Sequence, residues 1–256
     1  MLDGKRKSIQ PMASRLPDGN EQALQQFVSQ SPWDWRPVRQ RLAQQMTAVL
    51  DPDAWVIDDT GFPKYGNASV GVARQYSGTL GKVANCQVGV SIHAATDQAS
   101  CPINWRLFLP ESWDANQARR RAAHLPERVR HRPKWQLALD MLDELGGWGL
   151  APPVVVTDAG YGESGGLRLG LEERGLAYVV QVKGTTSAYP EAVHQQLAPY
   201  AGRGRPPRAR YRTRRSSLAQ LVAKAGRPAA KTVAWREGPA AGCARGLWPC
   251  RSARPG

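Results

Sequence analysis

Two short apolar segments of this chain each end in aspartate, and these carboxylates are the side chains best suited to chemistry. Residues 54–57 lead into Asp58 and Asp59, and residues 152–157 lead into Asp158. Each pattern predicts a buried strand that delivers an acid at its C-terminal end. If the two strands are neighbours, their carboxylates meet and repel each other, so they require protons or a cation. Oxygen ligands of this kind are typical of sites for Mg²⁺ or Mn²⁺.

The elements around these two strands predict an α/β fold. Apolar periodicity indicates three strands, a helical region, a strand, a helix and a last strand. They occupy residues 54–58, 70–76, 84–93, 113–149, 154–158, 164–174 and 178–183. The order β-β-β-α-β-α-β predicts a mixed sheet covered by helices, as in the ribonuclease H-like fold, where the first and fourth strands are neighbours. That arrangement would place Asp58 beside Asp158.

The same patterns divide the chain into three parts. Residues 1–51 predict an N-terminal helical region, whose basic face either contacts DNA or is simply solvated. Residues 52–185 predict the α/β core. In residues 186–256 the periodicity fades, apart from a short helix at residues 216–225, and this part is predicted to be an irregular basic tail.

The positive charge of the chain lies almost entirely near its C-terminus. The formal net charge is +14, and residues 200–256 contain fourteen Lys or Arg residues against one acid, Glu237. A segment of this kind attracts a polyanion such as nucleic acid, because binding releases counterions. A mistranslated, Arg-rich end would have the same composition, and composition leaves both interpretations open.

Cysteine spacing and hydropathy argue against several other classes of protein. The four cysteines show no paired Cys-x-x-Cys spacing, so a structural zinc site is not expected. No apolar run approaches the roughly 20 residues that cross a bilayer. Residues 1–10 lack the apolar stretch of a secretory signal. We therefore predict a cytoplasmic protein with no membrane partner.

Several motifs occur together along residues 5–238. They are Arg6-Lys7-Ser8-Ile9, Pro11-Met12-Ala13, Gln25-Gln26-Phe27, Ser31-Pro32-Trp33-Asp34, Asp58-Asp59-Thr60-Gly61-Phe62-Pro63-Lys64, the run from Ser69 to Gly78, Asn85-Cys86-Gln87, and Thr157-Asp158-Ala159-Gly160-Tyr161-Gly162. In combination they resemble the DDE-superfamily transposases of bacterial insertion sequences. The resemblance implies a ribonuclease H-like endonuclease, associated with the nucleoid, whose partners are the terminal repeats of its element, target DNA and further copies of itself.

The resemblance also implies catalytic acids and a metal cofactor. Asp, Asp and Glu side chains of this family would hold two Mg²⁺ or Mn²⁺ ions roughly 4 Å apart across the scissile phosphate. Asp158 would be the second acid, and either Asp58 or Asp59 the first. Strand alternation points these two side chains to opposite faces, and the Asp-x-Thr spacing to Thr60 favours Asp58. Asp58 and Asp158 are therefore the expected metal ligands, although acids at these positions also commonly cap turns.

Three basic residues near the first acid are candidates for binding DNA phosphates. They are Lys64, Arg74 and Lys82, which lie in or beside predicted loops. Lone basic residues in loops are more often just solvated, and this alternative also stands.

No third acid is evident, and we expect a transposase that is truncated near its C-terminus. Glu163 follows Asp158 too soon, and Glu237 corresponds to an insertion strand upstream of the family's catalytic helix. Residues 240–256 lack apolar periodicity, which is typical of a shifted reading frame. On this interpretation residues 186–256 contain the start of the family's insertion region and an aberrant tail. Two functions remain open: a transposase with impaired catalysis, or an inactive remnant that binds DNA.

Overall fold

The computed structural model describes residues 8–190, 192–200, 202, 204–206, 208–226, 228, 231–234 and 244–247. Residue contacts divide the chain into two units, Met1–Arg41 and Leu42–Gly256. The three-part division at residues 51 and 185 remains a prediction. Within the described residues, no helix is both long enough and apolar enough to cross a membrane.

The first unit is helical. It contains α1 (Ile9–Ala13), α2 (Glu21–Gln30) and the start of α3 (Trp35–Leu50). The Asn20 side chain caps α2 by accepting a hydrogen bond from the backbone N–H of Ala23 at 2.9 Å. Helix α2 buries none of its residues. After α3, Asp51 takes a positive φ of 44°, which ends the helix before Pro52.

A six-stranded mixed sheet forms the second unit and agrees with the predicted α/β class. Its strands are β1 (Ala54–Pro63), β2 (Ala73–Ser77), β3 (Lys82–Ala95), β4 (Ser100–Leu107), β5 (Val155–Thr157) and β6 (Tyr178–Val180). Strand β3 pairs antiparallel with β1, β2 and β4, whereas β1, β5 and β6 are parallel neighbours. The first strand and the second acid-bearing strand are therefore adjacent, as expected.

One local prediction differs from the structure. Four strands, not three, precede the first long helix, because residues 100–107 form β4, whose register shifts between Ile92 and His93 and so hides the alternation. Asp114 ends α4 (Glu111–Asp114), and the Asn116 side chain caps the basic helix α5 (Gln117–Ala122). The Asp114 carboxylate pairs instead with the buried Arg120 guanidinium at 2.9 Å.

One face of the sheet packs against two helices. These are α6 (Lys134–Gly147) and α8 (Gly165–Glu173). The inward residues of neighbouring strands, such as Trp55, Ile57 and Ile92, are fully buried on this face. Helices α6 and α8 approach closely at Gly170, where an added Cβ would lie 2.4 Å from Cδ1 of Leu139. Burial on one face gives β1 and β3 their alternating pattern.

The opposite face of the sheet is more exposed and carries the first acid. Strand β1 places Val56 and Asp58 on this side, because they alternate with the buried Trp55 and Ile57. Exposed apolar side chains extend across it from β1 to β6. They are Phe62, Tyr76, Val83, Trp105, Leu107 and Val179.

The C-terminal part contains more regular structure than the irregular tail that the sequence predicted. Strand β7 (Ser187–Ala188) pairs with β8 (Ser216–Ser217), and α9 (Leu218–Ala225) follows, near the predicted helix. Strand β9 (Lys231–Ala234) pairs with β10 (Ala244–Leu247). Between β7 and β8, the rings of Tyr189 and Tyr211 stack at 3.8 Å. Glu237 and residues 248–256 lie outside the described residues.

Candidate active site

The parallel pairing of β1 and β5 brings two acids together. Ile57 lies opposite Thr157 in this register. Asp58 directly follows Ile57, and Asp158 directly follows Thr157. Neighbouring strands are about 4.8 Å apart, so the two carboxylates start from adjacent points at one end of the sheet. Both residues are exposed. The strands that position them are anchored by fully buried Trp55 and Val155.

Asp58 is shaped by its own backbone and by nearby negative charge. One carboxylate oxygen, Oδ1, accepts a hydrogen bond from the backbone N–H of Asp59 at 2.7 Å. Partial burial raises the pKa of Asp58, and the charges of Asp59 and Asp158 raise this pKa further. The backbone hydrogen bond and His93 act in the opposite direction but are outweighed. The neighbours of Asp58 therefore favour the binding of a proton or a cation.

Asp59 lies on the other side of the strand and has a cationic partner. Its Oδ2 atom forms an ion pair with the ammonium group of Lys134, the first residue of α6. Strand alternation thus separates the two adjacent carboxylates, as expected. No sequence pattern indicated Lys134, because it lies 75 residues from Asp59 and no local spacing connects them.

Asp158 caps the short helix that follows β5. Its Oδ1 atom accepts hydrogen bonds from the backbone N–H groups of Gly160 at 3.0 Å and Tyr161 at 3.3 Å, at the start of α7 (Ala159–Gly162). The turn-capping alternative therefore describes part of its role. Both bonds fall on Oδ1 and neither uses Oδ2, so capping and binding a cation are compatible on one carboxylate.

Tyr161 is a buried core residue beside the site. Its side chain is 3% exposed, and its hydroxyl is a buried group with no hydrogen-bond partner among the described residues. Burial strongly raises its pKa, followed by the charges of Asp59, Asp58 and Asp158. The ring therefore packs in the core below the three acids.

His93 and Ser91 border Asp58 on β3. Ser91 is the register partner of Asp58, and its hydroxyl donates to the Asp58 carbonyl oxygen at 3.4 Å. The His93 Nε2 atom lies 3.1 Å from the Ser91 hydroxyl. Burial lowers the pKa of His93, while the Asp58 charge acts in the opposite direction. This side of the site is polar and favours a neutral imidazole near neutral pH.

The three candidate DNA-binding residues lie around the β2–β3 hairpin. Lys64 and Arg74 both adjoin Asn85. The Lys64 backbone N–H donates to the Asn85 carbonyl oxygen at 2.9 Å, and Arg74 is the register partner of Asn85 on β2. Lys82 is at the opposite end of the hairpin, opposite Ser77. All three basic residues are exposed. The structure thus groups Lys64 with Arg74 and separates Lys82 from them along the hairpin.

The glutamates that follow Asp158 have other partners. Glu163 pairs with the ammonium group of Lys183 at 2.8 Å, and Glu172 accepts a hydrogen bond from the Tyr178 hydroxyl at 2.8 Å. Among the residues that the structure describes, no group of three His, Cys, Asp or Glu side chains is placed to hold a metal ion.

The two juxtaposed carboxylates nevertheless fit a hard divalent cation. Asp58 and Asp158 supply oxygen donors, and a cation would offset both the burial and the neighbouring negative charges that raise the pKa of Asp58. Mg²⁺ is commonly bound through one or two carboxylates, with waters and substrate phosphates completing its octahedron. A pair of exposed aspartates is therefore a compatible donor set when a phosphodiester supplies further oxygens.

Known proteins match this chain over most of its length. The family model described as DDE superfamily endonuclease matches residues 1–242. The probable transposase for insertion sequence element IS701 of Microchaete diplosiphon is 29% identical over 201 residues. That alignment covers 77% of this chain and 50% of the relative, so the chain spans half the length of the curated relative that it matches.

Proposed function

The chain belongs to the DDE superfamily endonucleases, as its motifs predicted, and on that premise we propose that it functions as an insertion-sequence transposase. The reaction would be metal-dependent cleavage and transfer of DNA strands. One observation carries the proposal: β1 and β5 pair in parallel as far as Ile57 and Thr157, and Asp58 and Asp158 directly follow these two paired residues. The curated relative, itself a probable transposase, supports the insertion-sequence assignment.

In this proposal Asp58 and Asp158 hold Mg²⁺ or Mn²⁺ against a DNA phosphate. The bound cation would neutralise negative charge on the scissile phosphate and increase the acidity of the attacking hydroxyl. Asp58 contributes from the exposed sheet face. Asp158 contributes through Oδ2, while its Oδ1 keeps α7 in place. In this proposal Asp59 would not be a ligand, because its side chain lies on the helix side of the strand and pairs there with Lys134.

The basic residues of the β2–β3 hairpin would position the DNA. Lys64 and Arg74 lie beside each other at Asn85, and Lys82 is at the far end of the hairpin. Contacts between such side chains and phosphates fix the register of DNA without reading its sequence. Terminal repeats, target DNA and a second copy of the chain are the partners that this function requires.

A second candidate is a DNA-binding protein without catalytic activity. It is favoured by the absence, within the described residues, of a third acidic, His or Cys side chain placed to hold a metal ion together with Asp58 and Asp158. Two carboxylates bind a divalent cation more weakly than three, because fewer charges offset the cost of removing its water. The basic hairpin would still bind DNA, with a strong dependence on salt concentration.

Cleavage of labelled terminal DNA from the element distinguishes the two candidates. The full chain would be assayed with Mg²⁺ or Mn²⁺ beside Asp158→Asn and the control Asp97→Asn, which changes an exposed acid in the β3–β4 turn. Cleavage by the wild type and Asp97→Asn, but not by Asp158→Asn, supports the transposase. Binding without cleavage supports the inactive protein, and cleavage by the wild type and both variants refutes the assigned site.

A further inference from the structure

Lys134 is the only described cation that forms an ion pair with one of the three clustered aspartates. Its ammonium pairs with Oδ2 of Asp59, and the two side chains are 34% and 25% exposed. Partial burial makes such a pair more consequential than a surface one, since breaking it leaves a charge with reduced access to water. The pair connects the start of α6 to the middle of β1.

The surroundings of Lys134 hold its side chain in place. The ammonium lies 5.5 Å from the ring centre of Phe108, and that ring meets the His131 ring edge-on at 5.7 Å. The His131 Nδ1 atom lies 2.8 Å from the Leu109 carbonyl oxygen, which fixes the segment before α6. A cation over an aromatic face is attracted by the ring quadrupole. These contacts favour one direction for the Lys134 side chain.

The buried hydroxyl of Tyr161 is a second feature of the surroundings of Asp59. The Tyr161 hydroxyl is buried without a partner, and Asp59 contributes the largest electrostatic effect on it. A buried hydroxyl left without a hydrogen bond is unfavourable. The Lys134 ion pair uses Oδ2 of Asp59. Asp59 thus has a cationic partner on the helix side of the sheet, and the Tyr161 ring is buried in the core on this side.

We propose that Lys134 is a positioning residue: by holding Asp59 against α6, it leaves Asp58 as the one aspartate of the adjacent pair that faces Asp158. This inference rests on the proposed metal site at Asp58 and Asp158. It assigns Asp59 to the structural support of that site rather than to the ligand set. It also makes Lys134 the internal counterion that offsets one of three clustered carboxylates.

The charge balance gives the direction of each effect. Lys134→Met would release a carboxylate next to the site, so the site becomes more negative and binds Mn²⁺ more tightly. Asp59→Asn would release an ammonium, so the site becomes more positive and binds Mn²⁺ more weakly. The double variant Asp59→Asn/Lys134→Met removes one charge of each sign and restores the balance. The two single variants have opposite effects because each changes the charge near the ion by one unit, with opposite sign.

Mn²⁺ titration of the full chain, followed by electron paramagnetic resonance, measures these effects directly. We expect Lys134→Met to tighten Mn²⁺ binding about tenfold and Asp59→Asn to weaken it about tenfold. A charge interaction that would shift a pKa by about one unit changes a binding constant about tenfold. The double variant should bind within about threefold of the wild type, and Lys134→Arg likewise. Arg132→Met is the matched control, because it removes an ion pair between the segment that precedes α6 and Asp140 within α6.

The outcomes distinguish a failure of the positioning role of Lys134 from a failure of the proposed metal site. If the double variant loses Mn²⁺ as fully as Asp58→Asn does, Asp59 is a ligand and the positioning role is wrong. If Lys134→Met changes nothing, the ion pair has no influence on the site. If the wild type binds no Mn²⁺, or Asp58→Asn and Asp158→Asn bind like the wild type, the proposed function fails instead.

Urea unfolding provides a readout that is independent of metal. Without Mn²⁺, Lys134→Met should lower the urea midpoint at pH 7, because Asp59 is left partly buried without its counterion. Adding Asp59→Asn should restore most of that loss. Equal midpoints for the wild type and Lys134→Met would overturn the pairing itself, whether or not the site binds metal.

Discussion

Gly162 is the position in the acidic turn where the structure makes the sharpest prediction. It ends α7, four residues after Asp158, and lies against Gln181, the residue that directly follows β6. A Cβ added at Gly162 would lie 2.0 Å from the carbonyl oxygen of Gln181 and 3.0 Å from its carbon. Ordinary carbon–oxygen contacts begin at about 3.3 Å. Gly162→Ala therefore requires two backbone segments to separate by about 1.3 Å, the difference between 3.3 Å and 2.0 Å.

The free energy of unfolding should fall by about 3 kcal/mol in Gly162→Ala, at the upper end of overpacking costs, because backbone on both sides must move. Gly165→Ala is the control. Its Cβ would have Arg168 at 3.9 Å as its nearest neighbour, and alanine favours the helix by up to about 1 kcal/mol. Urea unfolding followed by tryptophan fluorescence measures both variants. A Gly162→Ala midpoint equal to that of the wild type would refute the close approach of α7 and β6.

Two further predictions concern acid stability and DNA binding. Arg174 donates two hydrogen bonds of 2.6 Å to Asp143 and lowers the pKa of that carboxyl. The wild type should therefore be more stable than Asp143→Asn above pH about 3.9, and it should lose this advantage as the pH falls through the lowered pKa of Asp143. A difference in urea midpoint that is the same at pH 7 and pH 2.5 would contradict a stabilising ion pair between Asp143 and Arg174. Alanine at each of the three hairpin bases should reduce the slope of log affinity against log salt by about 0.9, measured by fluorescence anisotropy, and an unchanged slope would show that the base does not bind phosphate.

The sheet was predictable where its pattern was local. The apolar runs within β1 and before Asp158 lead into acids, and β3 alternates between buried and less buried residues from Cys86 to Ala94, apart from Ser91. Strand β4 was harder to recognise, because Ile103 and the adjacent Asn104 are both buried and break the alternation. The Asn104 amide donates to Glu144 of α6 at 2.9 Å, which explains a buried polar residue that periodicity alone reads as an exposed one.

The candidate site was predictable in its acids but not in their partners. The spacing of Asp58 and Asp158 from apolar runs indicated where two strands would place them. Alternation also indicated that Asp58 and Asp59 point to opposite faces. The cation that pairs with Asp59 comes from α6, through a tertiary contact that no sequence period records. The orphaned Tyr161 hydroxyl likewise results from packing and is evident from the structure alone.

The most direct test of the central claim is a Mn²⁺ titration of the wild type beside Asp58→Asn, Asp158→Asn and Asp97→Asn. The claim is that β1 and β5 bring Asp58 and Asp158 together as one cation site. We predict that each of the first two variants loses at least about tenfold in Mn²⁺ affinity, because half of the carboxylate pair is gone, and that Asp97→Asn binds like the wild type. Equal Mn²⁺ affinity in all four proteins would contradict the account.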